Sequence, residues 1–224
     1  MEIGPATRAI VSGATSGIGE ATSRALAARG ATVGLMARGA ERLAALSSEL
    51  EGSLELPADV GDREAVESEV SRFAEQAGGI ELVVANAGIA RTGPFLELDP
   101  AAAEEMVRVN FVGTLNLLRA AVPRMLDRGR GHLVVVSSAA ALRAFPWTAV
   151  YGGTKAAQRA FAEAFRHELS GTGVSLTTVY PGEVETALHA HEPERTPDWL
   201  RRGESVAPER VADAILDAVW YRWS

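Results

Sequence analysis

The chain has 224 residues, and its 22 basic residues against 29 acidic ones give a formal net charge of −7. It contains no cysteine, which excludes disulfide frameworks, zinc–thiolate centres and cysteine nucleophiles. The acidic balance disfavours nucleic-acid binding, whose first signature is a basic patch. No apolar run approaches the roughly 20 residues that span a bilayer, and residues 1–5 lack the features of a secretory signal. We therefore expect a cytoplasmic protein with neither a membrane nor a nucleic-acid partner.

Short β-rich runs alternate with longer helical patterns along the chain. The predicted strands cover residues 9–11, 32–36, 54–56, 82–85, 133–136 and 174–179. The predicted helices cover residues 18–29, 40–51, 62–77, 100–128, 151–170 and 208–221. Several of the strands are continuously apolar, which is typical of parallel sheets that helices cover on both faces. The alternation predicts a single α/β domain over 1–224, built on a doubly wound parallel sheet of the Rossmann type.

Individual residues indicate where some helices begin and end. Asp99-Pro100 combines an N-cap residue with a proline at the first helical position. Gly30 and Gly171 stand where helix C-caps belong. After the sixth strand the composition becomes richer in proline and charge, so we predict an irregular substrate loop over 183–207 before the last helix.

The first predicted strand leads into a helix through a glycine-rich loop, Ser12-Gly13-Ala14-Thr15-Ser16-Gly17-Ile18-Gly19. Glycines let the backbone turn sharply and approach a diphosphate, and a helix N-terminus offers unpaired N–H groups to it. A P-loop is excluded because Glu20, not Lys, follows the last glycine. An ordinary tight turn is the alternative. The position at the first strand–helix junction favours dinucleotide binding by the loop residues Gly13, Thr15, Ser16, Gly17, Ile18 and Gly19.

The second strand carries the signal for the type of dinucleotide. About 20 residues beyond such a loop, a carboxylate binds the free ribose 2′-hydroxyl of NAD. Here that strand ends in Met36-Ala37-Arg38, and the nearest carboxylate is that of Glu41. Since a guanidinium pairs well with a phosphate, we predict NADP(H) rather than NAD(H), with a solvated Arg38 as the alternative.

Tyr151 and Lys155 form a second constellation. Residues four apart share one face of a helix, and a nearby ammonium stabilises a phenolate and lowers the pKa of the phenol. Such a tyrosine can act as a general acid–base group. Thirteen residues before it, Ser137 and Ser138 end the fifth strand, and either hydroxyl could hold a substrate oxygen. A lone Tyr–Lys pair is common on helix surfaces, but its combination with the glycine loop favours a catalytic function.

Together these motifs make the chain resemble the classical short-chain dehydrogenase/reductase family over about residues 7–186. The family's glycine motif starts with Thr, where this chain has Ser12, and its Asn-Asn-Ala-Gly motif stands here as Ala85-Asn86-Ala87-Gly88. The resemblance implies that Asn110, Ser138, Tyr151 and Lys155 are catalytic. It adds to the cofactor-binding set Asp59, Val60, Asn86, Ala87, Gly88, Tyr151, Lys155, Pro181, Gly182, Val184 and Thr186.

The resemblance also implies a mechanism. Hydride passes between the nicotinamide and a carbonyl or secondary alcohol, and Tyr151 supplies or accepts the proton. Ser138 positions the substrate oxygen; the family spacing favours it over Ser137. Lys155 binds the nicotinamide ribose and lowers the pKa of Tyr151, while Asn110 holds a water that links Lys155 to solvent.

The substrate and the assembly are expected by analogy with the family. Phe145, Trp147, Val184, Leu188 and Trp199 supply apolar surface near the substrate, which favours a fairly apolar carbonyl or alcohol. The helices 100–128 and 151–170 are expected to pair across a homodimer axis. Family members usually add a seventh strand; here we expect only six, which favours a dimer over a tetramer.

Two other functions stay open. A catalytically silent dinucleotide-binding sensor or scaffold is disfavoured by the intact set of Ser138, Tyr151 and Lys155. An epimerase or dehydratase of the extended relatives needs a substrate domain for which too few residues follow Val179. We expect no metal site, because His189 and His191 lack a third well-placed ligand.

Overall fold

Six parallel strands form one sheet in the computed structural model, which describes residues 2–186 and 205–221. The strands are β1 (Arg8–Ser12), β2 (Thr32–Ala37), β3 (Ser53–Pro57), β4 (Leu82–Ala85), β5 (Gly131–Val136) and β6 (Val174–Val179). Each overlaps its predicted segment. The strand order is β3-β2-β1-β4-β5-β6, so the chain direction across the sheet reverses between β1 and β4. The predicted doubly wound α/β fold is thus confirmed, and its ligand crevice belongs at that reversal, outside the carboxyl ends of the strands.

Helices cover both faces of the sheet. They are α1 (Gly17–Ala27), α2 (Ala40–Glu49), α3 (Arg63–Ala77), α4 (Pro100–Met106), α5 (Gly113–Leu126), α6 (Ala149–Glu168) and α7 (Pro208–Tyr221). Phe73 and Leu117 are fully buried on one face, and Leu26 and Ile215 on the other. Because both faces are buried, the central strands carry continuous apolar runs such as 9–11 and 133–136, which is the pattern that the sequence shows.

The predicted helix ends are largely confirmed. Asp99 caps α4 by accepting a hydrogen bond from the N–H of Ala101, and Pro100 is the first helical residue. Gly30 and Gly171 adopt φ values of +80° and +78°, the left-handed conformation that suits glycine after a helix.

The predicted helix 100–128 differs from the structure in two respects. It ends at Leu126, and Val107–Val112 between α4 and α5 forms a π-helical turn. A π-turn adds one residue to a helix without breaking it, and such turns are frequent at functional sites. Asn110 lies inside this turn.

Within the described residues, no helix is long and apolar enough to cross a membrane. The predictions for Leu188, His189, His191 and Trp199 lie outside the described residues, as does most of the predicted loop 183–207. At the borders of that segment, Val184 and Val206 form an isolated parallel bridge that leads the chain into α7.

Candidate active site

A cavity of ≈ 1080 Å³ opens at the carboxyl ends of the strands. All of the residues predicted for the site except Gly19 and Asn110 line it. They are Gly13, Thr15, Ser16, Gly17, Ile18, Arg38, Asp59, Val60, Asn86, Ala87, Gly88, Ser138, Tyr151, Lys155, Pro181, Gly182, Val184 and Thr186. The structure thus brings the glycine loop and the Tyr–Lys pair to one cavity, although 132 or more residues separate them in sequence.

The glycine loop forms a cradle that side chains would close. Gly13 and Gly17 have φ values of +66° and +53°, where other residues are strained. A Cβ on Gly17 would lie 2.7 Å from Cγ2 of Thr186, and one on Gly19 would lie 2.1 Å from the carbonyl oxygen of Gly13. Since α1 begins at Gly17, its N-terminal N–H groups face the same cavity. These features fit a dinucleotide diphosphate.

The two departures from the family motifs are compatible with this cradle. The Ser12 hydroxyl oxygen accepts hydrogen bonds from the N–H groups of Asn86 at 3.0 Å and Ala87 at 3.1 Å. It thereby links the end of β1 to the loop after β4. This contact requires a hydroxyl but not the extra methyl group of Thr. Ala85 is buried in β4 and only has to be small.

Charged side chains surround the predicted adenosine end of the cavity. Nη1 of Arg38 lies 3.5 Å from Oε1 of Glu105 and 4.0 Å from Oδ2 of Asp59, and the Arg38 side chain is 57% exposed. Nη2 of Arg108 donates to Oδ2 of Asp59 at 2.9 Å. Burial would raise the pKa of Asp59, but the hydrogen bonds from Arg108 and from the N–H of Gly61 outweigh it and hold the pKa below its ordinary value.

Sequence reasoning missed three charged residues here. Arg42 lines the same cavity from the first turn of α2, and its closeness in sequence to Arg38 was a usable signal. Glu105 and Arg108 come from α4 and the π-turn, and only the fold brings them to the end of β2.

Tyr151 and Lys155 lie side by side on the buried face of α6. They are 8% and 4% exposed, and Nζ of Lys155 lies 5.8 Å from the centre of the Tyr151 ring. Lys155 is the only lysine in the chain. Its Nζ donates to the carbonyl oxygen of Val136 at 3.0 Å, and burial lowers the pKa of Lys155 to about 8.

Burial sets the direction of the Tyr151 pKa. It raises that pKa, and the Ser138 side chain opposes the rise without cancelling it. With a pKa of about 8, Lys155 remains mostly an ammonium at neutral pH. The lowering of the Tyr151 pKa by Lys155 stays a prediction.

The structure separates the two candidate serines. The Ser137 hydroxyl donates to the carbonyl oxygen of Lys155 at 2.9 Å and fixes α6 to the end of β5. The Ser138 side chain lies near enough to Tyr151 to lower its pKa, and its Oγ accepts from the N–H of Ala140 at 3.1 Å. Ser138 therefore faces Tyr151 in the cavity, whereas the Ser137 hydroxyl is engaged with the helix backbone.

Asn110 lies beneath the cavity and is completely buried. Its Oδ1 accepts from the N–H of Ile89 at 2.8 Å, and its Nδ2 donates to the carbonyl oxygen of Ile89 and to Oγ1 of Thr154. A Cβ placed on Gly88 would lie 3.3 Å from Asn110 Oδ1 and 3.5 Å from Lys155 Nζ. Both atoms therefore face the same point beside Gly88.

The predicted apolar surface is divided between the cavity and its surroundings. Phe145 lines the cavity together with Ile89 and Thr148. Trp147 does not line the cavity, and 47% of it is exposed. Its φ of +67° is unusual for a residue other than glycine. In the part of the chain that the structure describes, no three His, Cys, Asp or Glu side chains are grouped as metal ligands.

Comparison with known proteins identifies the family. A family model described as short chain dehydrogenase matches residues 7–196. An uncharacterized oxidoreductase of Listeria innocua is 34% identical over 220 residues, covering 94% of this chain and 89% of that protein. The chain belongs to the short-chain dehydrogenase/reductase family of oxidoreductases.

Solved structures agree with this assignment. An alcohol dehydrogenase from the archaeon Thermococcus sibiricus, complexed with 5-hydroxy-NADP, is 30% identical with a TM-score of 0.84, covering 96% of this chain and 90% of that one. A short-chain dehydrogenase/reductase from Burkholderia phymatum, in complex with NAD, has a TM-score of 0.91 at 24% identity, covering 99% and 88%. The latter likeness shows the fold alone. Both of those proteins are bound to nicotinamide dinucleotides.

Proposed function

We propose that the protein is an NADP(H)-dependent oxidoreductase that interconverts a carbonyl compound and a secondary alcohol. The observation that carries the proposal is that Ser138 and the buried pair Tyr151 and Lys155 line the same cavity as the glycine cradle. A silent sensor has no use for a buried phenol beside a serine hydroxyl and a lysine. The acid–base geometry therefore favours catalysis over binding alone.

The residues of the chain hold the dinucleotide along the cavity. The glycine loop takes the diphosphate, and Asp59 and Val60 take the adenine end. The remaining contacts come from the loop after β4, Asn86-Ala87-Gly88, and from Pro181, Gly182, Val184 and Thr186 after β6. When bound, the nicotinamide supplies or accepts the hydride.

Tyr151 performs the proton transfer. In reduction, its hydroxyl donates a proton to the carbonyl oxygen, which Ser138 holds by a hydrogen bond. The phenol of Tyr151 is protonated at neutral pH, the form that reduction requires, because its ordinary pKa already lies well above neutral and burial raises it further. Lys155 binds the ribose hydroxyls through Nζ, and Asn110 holds a water that links Lys155 to solvent.

A substrate panel tests the proposal. Ketones of increasing apolar size are offered with NADPH, and cofactor oxidation is followed at 340 nm; alcohols with NADP⁺ give the reverse reaction. Phe145 and Ile89 in the lining predict that apolar ketones are preferred. Binding of NADPH without turnover of any carbonyl would instead support the sensor or scaffold.

Arg38 is proposed to select NADP(H). Arg38→Gln is expected to lower kcat/KM with NADPH by about 10- to 100-fold, because a charge-assisted contact contributes roughly 1.5–3 kcal/mol. Efficiency with NADH should change little, since NADH carries no 2′-phosphate. Arg29→Gln, which removes an exposed arginine from the C-terminal end of α1, is the control. Wild-type efficiency with NADH equal to that with NADPH would contradict the selection.

We also propose a homodimer through α4–α5 and α6. Val107 and Val112 are 44% and 37% exposed, although both are apolar and lie on a helix. Phe161 of α6 packs edge-on against Phe111 with ring centres 6.5 Å apart, so the apolar surface extends from one helix to the other. Light scattering is expected to give twice the chain mass of 23.6 kDa. A mass of one chain at micromolar concentration would refute the dimer.

A further inference from the structure

Gln158 is a completely buried polar residue on the catalytic face of α6. It follows Lys155 by three residues and Tyr151 by seven, so helical periodicity places all three on one side. Glutamine is mostly exposed in folded proteins. A fully buried glutamine next to the proposed proton-transfer residues therefore calls for an explanation from its contacts.

The amide of Gln158 holds the backbone of the π-turn. Its Nε2 donates to the carbonyl oxygen of Asn110 at 2.8 Å and to Oγ1 of Thr114 at 2.7 Å. The Thr114 hydroxyl in turn donates to the same Asn110 carbonyl at 2.8 Å. These contacts fix the orientation of the amide, because the reversed amide would place its oxygen against the Asn110 carbonyl oxygen.

The side chain of Asn110 continues the network toward the catalytic pair. Its Nδ2 donates to Oγ1 of Thr154 at 3.0 Å, and the Thr154 hydroxyl donates to the carbonyl oxygen of Tyr151 at 2.7 Å. Its Oδ1 and Nζ of Lys155 lie within 3.3 and 3.5 Å of the same point beside Gly88. We expect the dipole of an amide oxygen placed there to favour the ammonium form of the lysine.

The other end of the Gln158 amide is unsatisfied. Its Oε1 is buried and has no hydrogen-bond partner among the described residues. A buried acceptor without a partner opposes folding, and an apolar residue of the same size would avoid that loss. The presence of glutamine at this position is thus better explained by the hydrogen bonds of its Nε2 to the π-turn than by a gain in the stability of the fold.

We propose that Gln158 is a positioning residue for the reaction, which holds the π-turn so that Oδ1 of Asn110 faces Lys155. The expected loss of kcat rests on the proposed function, whereas the expected change in the titration of Lys155 does not. Gln158 touches neither the substrate nor the cofactor; it acts through Asn110.

The single lysine of the chain makes the test direct. In protein labelled with ¹³C at lysine Cε, the one lysine signal reports the titration of Lys155 without substrate or cofactor. Gln158→Met removes the donor and keeps the volume. We expect its lysine midpoint to fall below the wild-type value by about half a pH unit or more, because the ammonium loses a facing dipole. We expect kcat to fall about tenfold with little change in KM for NADPH, because positioning and not binding is lost.

Two further variants make the result specific. Gln158→Glu is expected to lie nearer to wild type than Gln158→Met, because a buried carboxyl group stays protonated and its O–H can still donate to Asn110. Leu43→Ala, in the core on the opposite face of the sheet, should lower the melting temperature and leave the lysine midpoint unchanged. If Gln158→Met does not fold, Thr114→Val tests the same carbonyl, and its midpoint should also fall.

The outcomes separate the two proposals. An unchanged lysine midpoint in Gln158→Met, or in Thr114→Val if that variant replaces it, overturns the positioning function. If the lysine midpoint is lowered in Gln158→Met but the wild-type protein reduces no carbonyl, the positioning of Lys155 is supported and the proposed reaction is refuted. A lowered midpoint with a lowered kcat supports both.

Discussion

Tyr151→Phe is expected to lower the rate of carbonyl reduction by about 10²- to 10⁴-fold, the usual contribution of a positioned general acid. The phenol is the proposed proton donor, since a serine hydroxyl is a far weaker acid than a phenol and Nζ of Lys155 is engaged with the carbonyl oxygen of Val136. The ring itself is buried, and phenylalanine retains it. NADPH should therefore bind within about threefold of wild type, because proton transfer and ground-state binding are separate.

The measurement is a single-turnover rate with NADPH and the best ketone of the panel, with cofactor affinity from the fluorescence of bound NADPH. Tyr180→Phe removes a phenol that does not line the cavity and serves as the matched control. A Tyr151→Phe rate within tenfold of wild type would show that another group supplies the proton.

Gly19→Ala is expected to abolish measurable NADPH binding, with an affinity loss of about 100-fold or more. The reason is that the backbone atoms which the added methyl would meet cannot move aside as the end of a flexible side chain can. The added Cβ would lie 2.1 Å from the carbonyl oxygen of Gly13 and 2.6 Å from Nδ2 of Asn86. That amide donates to the carbonyl oxygen of Ser12, so the methyl displaces both the glycine loop and the loop after β4.

Calorimetric titration with NADPH and a melting curve check this result together. Gly153→Ala is the matched control, because a Cβ there meets nothing within 4 Å and Ala favours the α6 helix. The control should bind NADPH like wild type and melt no lower. Normal NADPH binding by Gly19→Ala would mean that the loop does not form the cradle.

The sequence predicted the fold well because the patterns that mark strands and helix ends lie within short segments of the chain. The continuously apolar runs at 82–85 and 133–136 are typical of strands covered on both faces, and glycine after α1 marks a helix end. The positions of Ser138 and Tyr151 followed from spacing within adjacent elements, and the structure brings both to the cavity.

The features that the sequence did not predict depend on distant contacts. Nothing within Val107–Val112 marks a π-turn, because no proline or glycine lies there; the turn is held by Gln158, 48 residues beyond Asn110. The effect of burial on the pKa of Tyr151 was not predicted for the same reason, since this burial depends on the packing of the whole cavity. Arg38 was identified, but its ion pair with Glu105 needs α4 beside β2.

The π-turn also determines which length changes this helix can tolerate. One residue advances an α-helix by about 100° of rotation and 1.5 Å, and the π-turn takes up one such residue without breaking the helix. Deleting one residue from 107–112 is therefore expected to close the turn into regular α-helix. It would also change the backbone carbonyl that Gln158 and Thr114 contact. The turn is thus the place in this helix where one residue can be lost while the helix remains continuous.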